Sequence, residues 1–152
     1  REEMLKLANT KSIKVGNFEN LLFEGKNYYF IKINGTEEYS YLINYSGFNV
    51  EGMLLKVSKV SKDNMEEIEK LSTILIQVSD DRINEERAKS IYIDLLVGLG
   101  EKIDNKIILE NGLSYEILVN KYDNNINKPL YIKKFIHYLN SIKYANSKII
   151  IY

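Results

Sequence analysis

The stretch Tyr28–Tyr45, YYFIKINGTEEYSYLINY, decides the fold. Tyr29, Ile31 and Ile33 alternate along one arm, and Tyr39, Tyr41, Ile43 and Tyr45 along the other, the period of a β-strand with one buried face. Between them stands Asn34-Gly35, the dipeptide that most readily supplies the positive φ angles of a tight hairpin turn. A two-residue loop would set Ile31 against Glu38 and Tyr29 against Ser40, mixing the faces. A three-residue loop, Asn34–Thr36, sets Ile31 against Tyr39, Tyr29 against Tyr41 and Lys32 against Glu38. That register keeps one apolar face and one charged pair, and it is the one expected.

Working outward, Ser12–Val15 and Leu21–Phe23 read as short strands, Ser46–Gly52 as a loop and Met53–Val60 as a further strand. The N-terminal part is therefore an antiparallel meander. Before it, Arg1–Asn9 is either a short helix with Met4, Leu5 and Ala8 on one side or a tether. Residues 1–11 are accordingly set apart from a single domain spanning 12–152. At Ser61 the period changes. Asp63 and Glu66 read as a capping box, and Met65, Ile68, Leu71, Leu75 and Val78 recur at helical spacing.

A second helix is expected to begin at Asp80 or Asp81, with Ala88, Ile91, Tyr92, Leu95, Leu96 and Leu99 as its buried stripe and Gly98–Gly100 as its C-cap. Lys106–Asn120 reads as a hairpin about Asn111-Gly112, with Leu113, Tyr115, Ile117 and Val119 on one face. After the loop Asp123–Pro129, a last helix carries Ile132, Phe135, Ile136, Leu139 and Ile142, and SKIIIY ends the chain as a strand or ordered tail. The expected class is α+β: an antiparallel sheet built from a meander and a later hairpin, packed against two or three helices.

Composition narrows the function classes. The 152 residues suit one domain. Lys plus Arg and Asp plus Glu number 21 each, so no whole-molecule basic field draws nucleic acid, which is not an expected partner. The chain has no cysteine, which removes thiol nucleophiles, thiolate zinc sites and disulfides. No segment approaches the ~18 apolar residues of a membrane span. No phosphate loop, metal spacing or nucleophile elbow is present, so no catalytic, cofactor-binding or metal-ligating residue is assigned and no cofactor is expected.

His137, the single histidine, lies off the apolar stripe of the last helix and reads as structural or solvent-facing. Asp80 and Asp81 are accounted for by helix capping. Charge is uneven along the chain, with nine acids against four bases over Asp63–Asp94, but five lysines and no acid over Lys128–Tyr152. The first reading is that the basic segment packs beside the acidic one. The functional reading makes Lys133, Lys134, His137, Tyr138 and Lys143 a surface for an anionic partner such as wall polymer, lipid headgroups or, least expected of the three, nucleic acid. Tyr28 and Phe30 lie opposite Tyr29 and are not needed by its core. Scaffolding is the first reading for them, and an exposed patch that stacks on carbohydrate or peptide is the second.

The Cys-free, Lys/Asn/Ile/Tyr-rich chain without a Met start carries ILENGLSYEILVNKYDN after a helical pair ending in GLG. In this it resembles the small uncharacterised surface lipoproteins of low-GC Gram-positive bacteria, over about Met65–Asn124. The resemblance implies a signal peptide, a lipidated cysteine and a tether upstream of Arg1, and hence a place in the envelope. On that basis the chain is expected to be a non-enzymatic extracytoplasmic domain binding a protein or an envelope component. A cytosolic interaction or immunity-type protein is the alternative. A carboxylate hydrolase, pairing Asp94 with Asp104 or Glu116, is the third reading.

Overall fold

The computed structural model describes residues 1–58, 61–100, 107–117 and 148–149. Four strands, β1 (Glu19–Phe23), β2 (Lys26–Ile33), β3 (Thr36–Ser46) and β4 (Asn49–Val57), form an antiparallel meander in that order. The hairpin of β5 (Ile107–Glu110) and β6 (Leu113–Glu116) belongs to a second sheet, completed by β7 (Lys148–Ile149) parallel to β6 and lying alongside β4. With helices α1 (Glu2–Thr10), α2 (Met65–Ser79) and α3 (Glu85–Gly100), the class is α+β.

Both Asn-Gly pairs form the turns that their chemistry favours. Asn34 and Gly35 have φ of 54° and 72°, and Asn111 and Gly112 have 53° and 82°. At the first turn the loop is nonetheless two residues long, since Ile33 pairs directly with Thr36. The ladder then shifts, and Lys32 meets Ser40, Ile31 meets Tyr41 and Tyr29 meets Ile43. The expected Ile31–Tyr39 register is thus wrong by two residues, although every side chain keeps its face. A β-bulge reconciles the turn with the apolar pattern, because an even displacement leaves the pleat in phase. Tyr39 is instead held by Val57 of β4, and Ser58 N–H donates to Glu38 O at 2.9 Å.

Asn34 joins three segments. Its N–H donates to Lys14 O at 2.8 Å, its Oδ1 accepts from Lys14 N–H at 3.0 Å, and its Nδ2 donates to Glu67 Oε1 at 3.0 Å. The Ser12–Val15 strand is reduced to a single bridge between Val15 and Ile33. Beside it Gly16 N–H donates to Lys32 O at 2.8 Å, and a Cβ on Gly16 would lie 2.8 Å from that same oxygen. Gly16→Ala is therefore expected to lower stability by about 1–3 kcal/mol, read as an earlier midpoint in urea. An unchanged midpoint would show that the edge can move aside.

Several boundaries differ from expectation. Ser46–Gly52 is not a loop: the β3–β4 turn is Gly47-Phe48, and β4 already begins at Asn49. The capping box is formed by Ser61 and Asn64, with Ser61 N–H donating to Asn64 Oδ1 at 2.9 Å, and a short 3-10 turn Lys62–Asn64 precedes α2. Helix α3 starts after Asn84, whose Oδ1 accepts from Arg87 N–H at 2.8 Å, so neither Asp80 nor Asp81 caps it. Gly98–Gly100 are the last residues of that helix, which is described as far as Gly100. Residues 1–11 are no loose tether, since Met4 and Ala8 of α1 are buried, while Leu5 faces solvent.

The core lies between the meander and the helices. Ile31, Ile33, Tyr39, Tyr41, Ile43, Met53, Leu55 and Val57 meet Ile68, Leu71, Leu75, Ala88, Ile91 and Leu95. Helix α2 is central, with Ser72, Thr73, Ile74 and Ile76 buried as well as the expected stripe. Tyr115 and Ile117 bring the hairpin into the same core.

Candidate functional site

Each strand of the meander presents one face to the helices. On that face, towards the Glu24-Gly25 and Gly47-Phe48 turns, aromatic residues succeed one another across the sheet. The Tyr29 and Tyr45 rings stack at 4.4 Å between centroids and 12° between planes, and Phe18 meets Tyr29 edge-on at 5.8 Å. The Arg1 guanidinium sits 5.3 Å over the Phe18 ring, a cation–π contact. Tyr45 Oη donates to Asn20 Oδ1 at 3.2 Å, tying the ladder to the edge strand. Partial burial, and then the neighbouring Tyr29 hydroxyl, raise the Tyr45 phenol above its ordinary value.

Beside the ladder a cleft of about 210 Å³ opens between the start of α1, the end of α2 and the sheet. Met4, Phe18, Ile43, Val50, Met53 and Val78 make its walls apolar, and Arg1 and Ser79 supply its polar groups. Val50 is 44% exposed at this rim. Ser79 is fixed by its own bonds: its hydroxyl donates to Ile76 O at 2.6 Å, which leaves Oγ to accept from Tyr115 Oη at 2.9 Å. The cleft wall is thereby coupled to the β5–β6 hairpin.

The expected surface is arranged differently. Tyr28 and Phe30 are 0% and 2% exposed, so they cannot stack on an external ligand. They sit on the second face of the meander with Leu42 and Leu54, which are also buried. Strands β2 and β3 are central in the sheet, and each carries buried residues on both of its faces. Lys133, Lys134, His137, Tyr138 and Lys143 lie outside the described residues, as do the Asp123–Pro129 loop and the last helix. Tyr29 and Tyr45, assigned to the core, are instead only partly buried. Among the described residues, the tyrosines with access to solvent thus lie on the face expected to pack against the helices. Their position near two turns, where the strands run out from under the helices, was the available signal.

The acids converge on a different place. Asp80 Oδ1 accepts from Arg82 N–H at 3.0 Å and Arg82 Nε at 2.8 Å, and its Oδ2 accepts from Asn111 Nδ2 at 2.7 Å. The Arg82 guanidinium, helped by the Arg82 backbone N–H and Asn111, holds this carboxyl at about 2 against the opposing effect of burial. Lys11 likewise holds Glu85 low, and Arg87, which grips Glu110 through Nε and a guanidinium nitrogen, holds that group low. Asp80 and Glu110 clamp the α2–α3 loop and α3 to the hairpin, Glu85 ties α3 to Lys11 at the end of α1, and none is poised to donate a proton near neutrality. Asp94 is exposed, Glu116 is buried, and Asp104 lies outside the described residues, so no pairing of Asp94 with either is described.

Among the described residues, no group of His, Cys, Asp and Glu side chains is placed to hold a metal ion. No described helix is long and apolar enough to cross a membrane. No protein-family model, no curated protein and no solved structure matches the chain.

Proposed function

We propose that this chain is a non-enzymatic binding domain, held outside the cytoplasm by a lipidated segment upstream of Arg1. In this reading it engages a protein partner through the aromatic ladder and cleft at the turn end of the meander. The observation that supports it most is the half-open Phe18–Tyr29–Tyr45 ladder running into an apolar cleft with a single cation at its mouth. Rigid aromatic rings beside an apolar hole are what anchor a partner's side chain at low entropic cost. Arg1 over Phe18 favours a partner segment with an acidic residue beside its apolar anchor. The described acids support a structural role instead, since those with displaced titration are neutralised by Arg or Lys.

The test uses the full-length protein in its own cells, with a photo-cross-linking amino acid at Val50 on the cleft rim or at Asp63 as an exposed control. Irradiation is expected to give one discrete protein adduct from position 50 and none from 63. Adding Tyr45→Ala should reduce the yield by about 10-fold, the effect of losing one interface aromatic of moderate weight. Equal adducts from both positions, or none from position 50, would refute the binding site. Mass spectrometry of the mature N-terminus tests the compartment separately. A diacylglyceryl cysteine is expected, and a formyl-methionine terminus in the cytosolic fraction would transfer the same surface to an intracellular partner.

A further inference from the structure

We propose that Asn111 is a self-modification site, where the Asn111-Gly112 turn converts to aspartate or isoaspartate with loss of ammonia once the β5–β6 hairpin lifts from Asp80. The Asn-Gly pair occurs twice in the chain, and both copies adopt left-handed turns, with φ of 54° and 72° at Asn34-Gly35 and 53° and 82° at Asn111-Gly112. A residue without a Cβ leaves its backbone nitrogen open to the preceding side-chain amide, and nothing lies within 4 Å of where a Cβ on Gly112 would stand. The Gly112 nitrogen gives its proton to a base in solution and attacks Asn111 Cγ. The new N–Cγ bond replaces the Cγ–Nδ2 bond, and Nδ2 leaves as ammonia with the proton returned by that base. Water then opens the resulting cyclic imide at one carbonyl or the other, which gives aspartate or isoaspartate.

The fold sets the two turns apart by what holds them. Asn34 is fixed to Lys14 through its N–H and Oδ1 and to Glu67 through Nδ2, so opening that turn breaks three bonds. Asn111 has one close contact, Nδ2 donating to Asp80 Oδ2 at 2.7 Å, with Arg82 reaching its carbonyl at 3.5 Å. Among the described residues its Oδ1 takes no hydrogen bond, so the amide swings free towards Gly112 when that one contact parts. Reclosure does not undo the reaction. A carboxylate at 111 faces the carboxylate of Asp80, which is 3% exposed and ionised. Arg82 is the cation beside them, and Asp80 already occupies its Nε and a terminal nitrogen. Arg87, the next cation on α3, is held by Glu110. The altered turn is thus shut out of its former seat, and the hairpin that brings Tyr115 to Ser79 loses its clamp to the α2–α3 loop. A brief opening is converted into a lasting one.

The test is to age the full-length protein at mildly alkaline pH and to locate isoaspartate by enzymatic methyl labelling and peptide mapping. Position 111 is expected to convert about 10-fold faster than position 34, because two more close hydrogen bonds hold the first turn shut. In the urea-unfolded chain the two positions should react alike. Asn111→Asp reproduces one product directly and is expected to lower the urea midpoint. In an Asp80→Asn background, where the facing carboxylate is gone, the same change should cause no loss. Conversion of the folded protein at 34 as fast as at 111, or none at 111, would overturn the proposal. So would an Asn111→Asp midpoint that does not move, or one that falls equally in both backgrounds.

Discussion

Tyr41→Ala is expected to be the most damaging single substitution, lowering stability by about 3–5 kcal/mol, as for other large aromatic residues cut to alanine in a core. Tyr41 is fully buried in β3, between Ile31 of β2 and Leu55 of β4, and beneath α2. Its hydroxyl donates to Leu71 O at 2.7 Å, so the same side chain fills the centre of the sheet and ties it to the central helix. For a domain of this size the loss corresponds to a fall in Tm of roughly 6–20 °C. Tyr41→Phe separates the two contributions. It keeps the ring and should cost only about 1 kcal/mol for the hydrogen bond. If the phenylalanine variant lost as much as the alanine variant, the hydroxyl, and not the filled volume, would be what secures α2.

Asp80 carries the second large effect, and it depends on pH. Its side chain is 3% exposed, whereas that of Arg82 is 63% exposed. Removing the carboxylate therefore strands no buried cation, and the loss lies in the hydrogen bonds to Arg82 and Asn111. Asp80→Asn should cost about 1.5–3 kcal/mol at neutral pH, the range for hydrogen bonds to a charged group. The folded state holds this carboxyl at about 2, below its ordinary 3.8. The unfolded chain binds the proton more readily, so the stabilisation is complete above roughly pH 4 and disappears as pH falls towards 2. Glu85 and Glu110 are also held low and titrate in the acid range. For that reason the measured quantity is the difference between wild type and Asp80→Asn, from denaturant unfolding at a series of pH values. A difference that shrinks on acidification is expected. One that stayed constant from neutrality to pH 2 would mean that Asp80 acts by shape and not by charge.

Asp80 also illustrates where local reading stops. An acid directly before a helical run is an ordinary capping signal, and the helix was expected to begin at Asp80 or Asp81. Its actual partner, Asn111, is distant in sequence, and the contact exists because the β5–β6 turn is folded back onto the α2–α3 loop. Asn84, an equally good capping residue nearer the helix, takes the role instead. The Asn-Gly turns, the period-two arms and helices α2 and α3 were legible because each is written in contiguous residues, whereas the residues of α1 read equally as a helix or a tether. The runs YYFIKI and MLL also carried a signal of burial on both faces, since a strand with one wet face would alternate. Alternation was read from Tyr29, Ile31 and Ile33, and the equally apolar Tyr28 and Phe30 on the other side were weighed as a surface.

By itself, the sequence determined the α+β class, the places of the two Asn-Gly turns, the facing of β2 and β3 and the lack of any thiol among these 152 residues. These depend on backbone preferences and side-chain period, which act over a few residues. Tertiary structure alone decided the strand order, and with it which apolar faces close. It placed Tyr28 inside and left Leu22 outside, although both are large apolar residues in strands of the same sheet. It also put Phe18, Tyr29 and Tyr45 in one ladder from three separate segments and set Arg1 above it. Exposure belongs to the assembled layers and not to the strand, because it depends on what lies on the far side of each face.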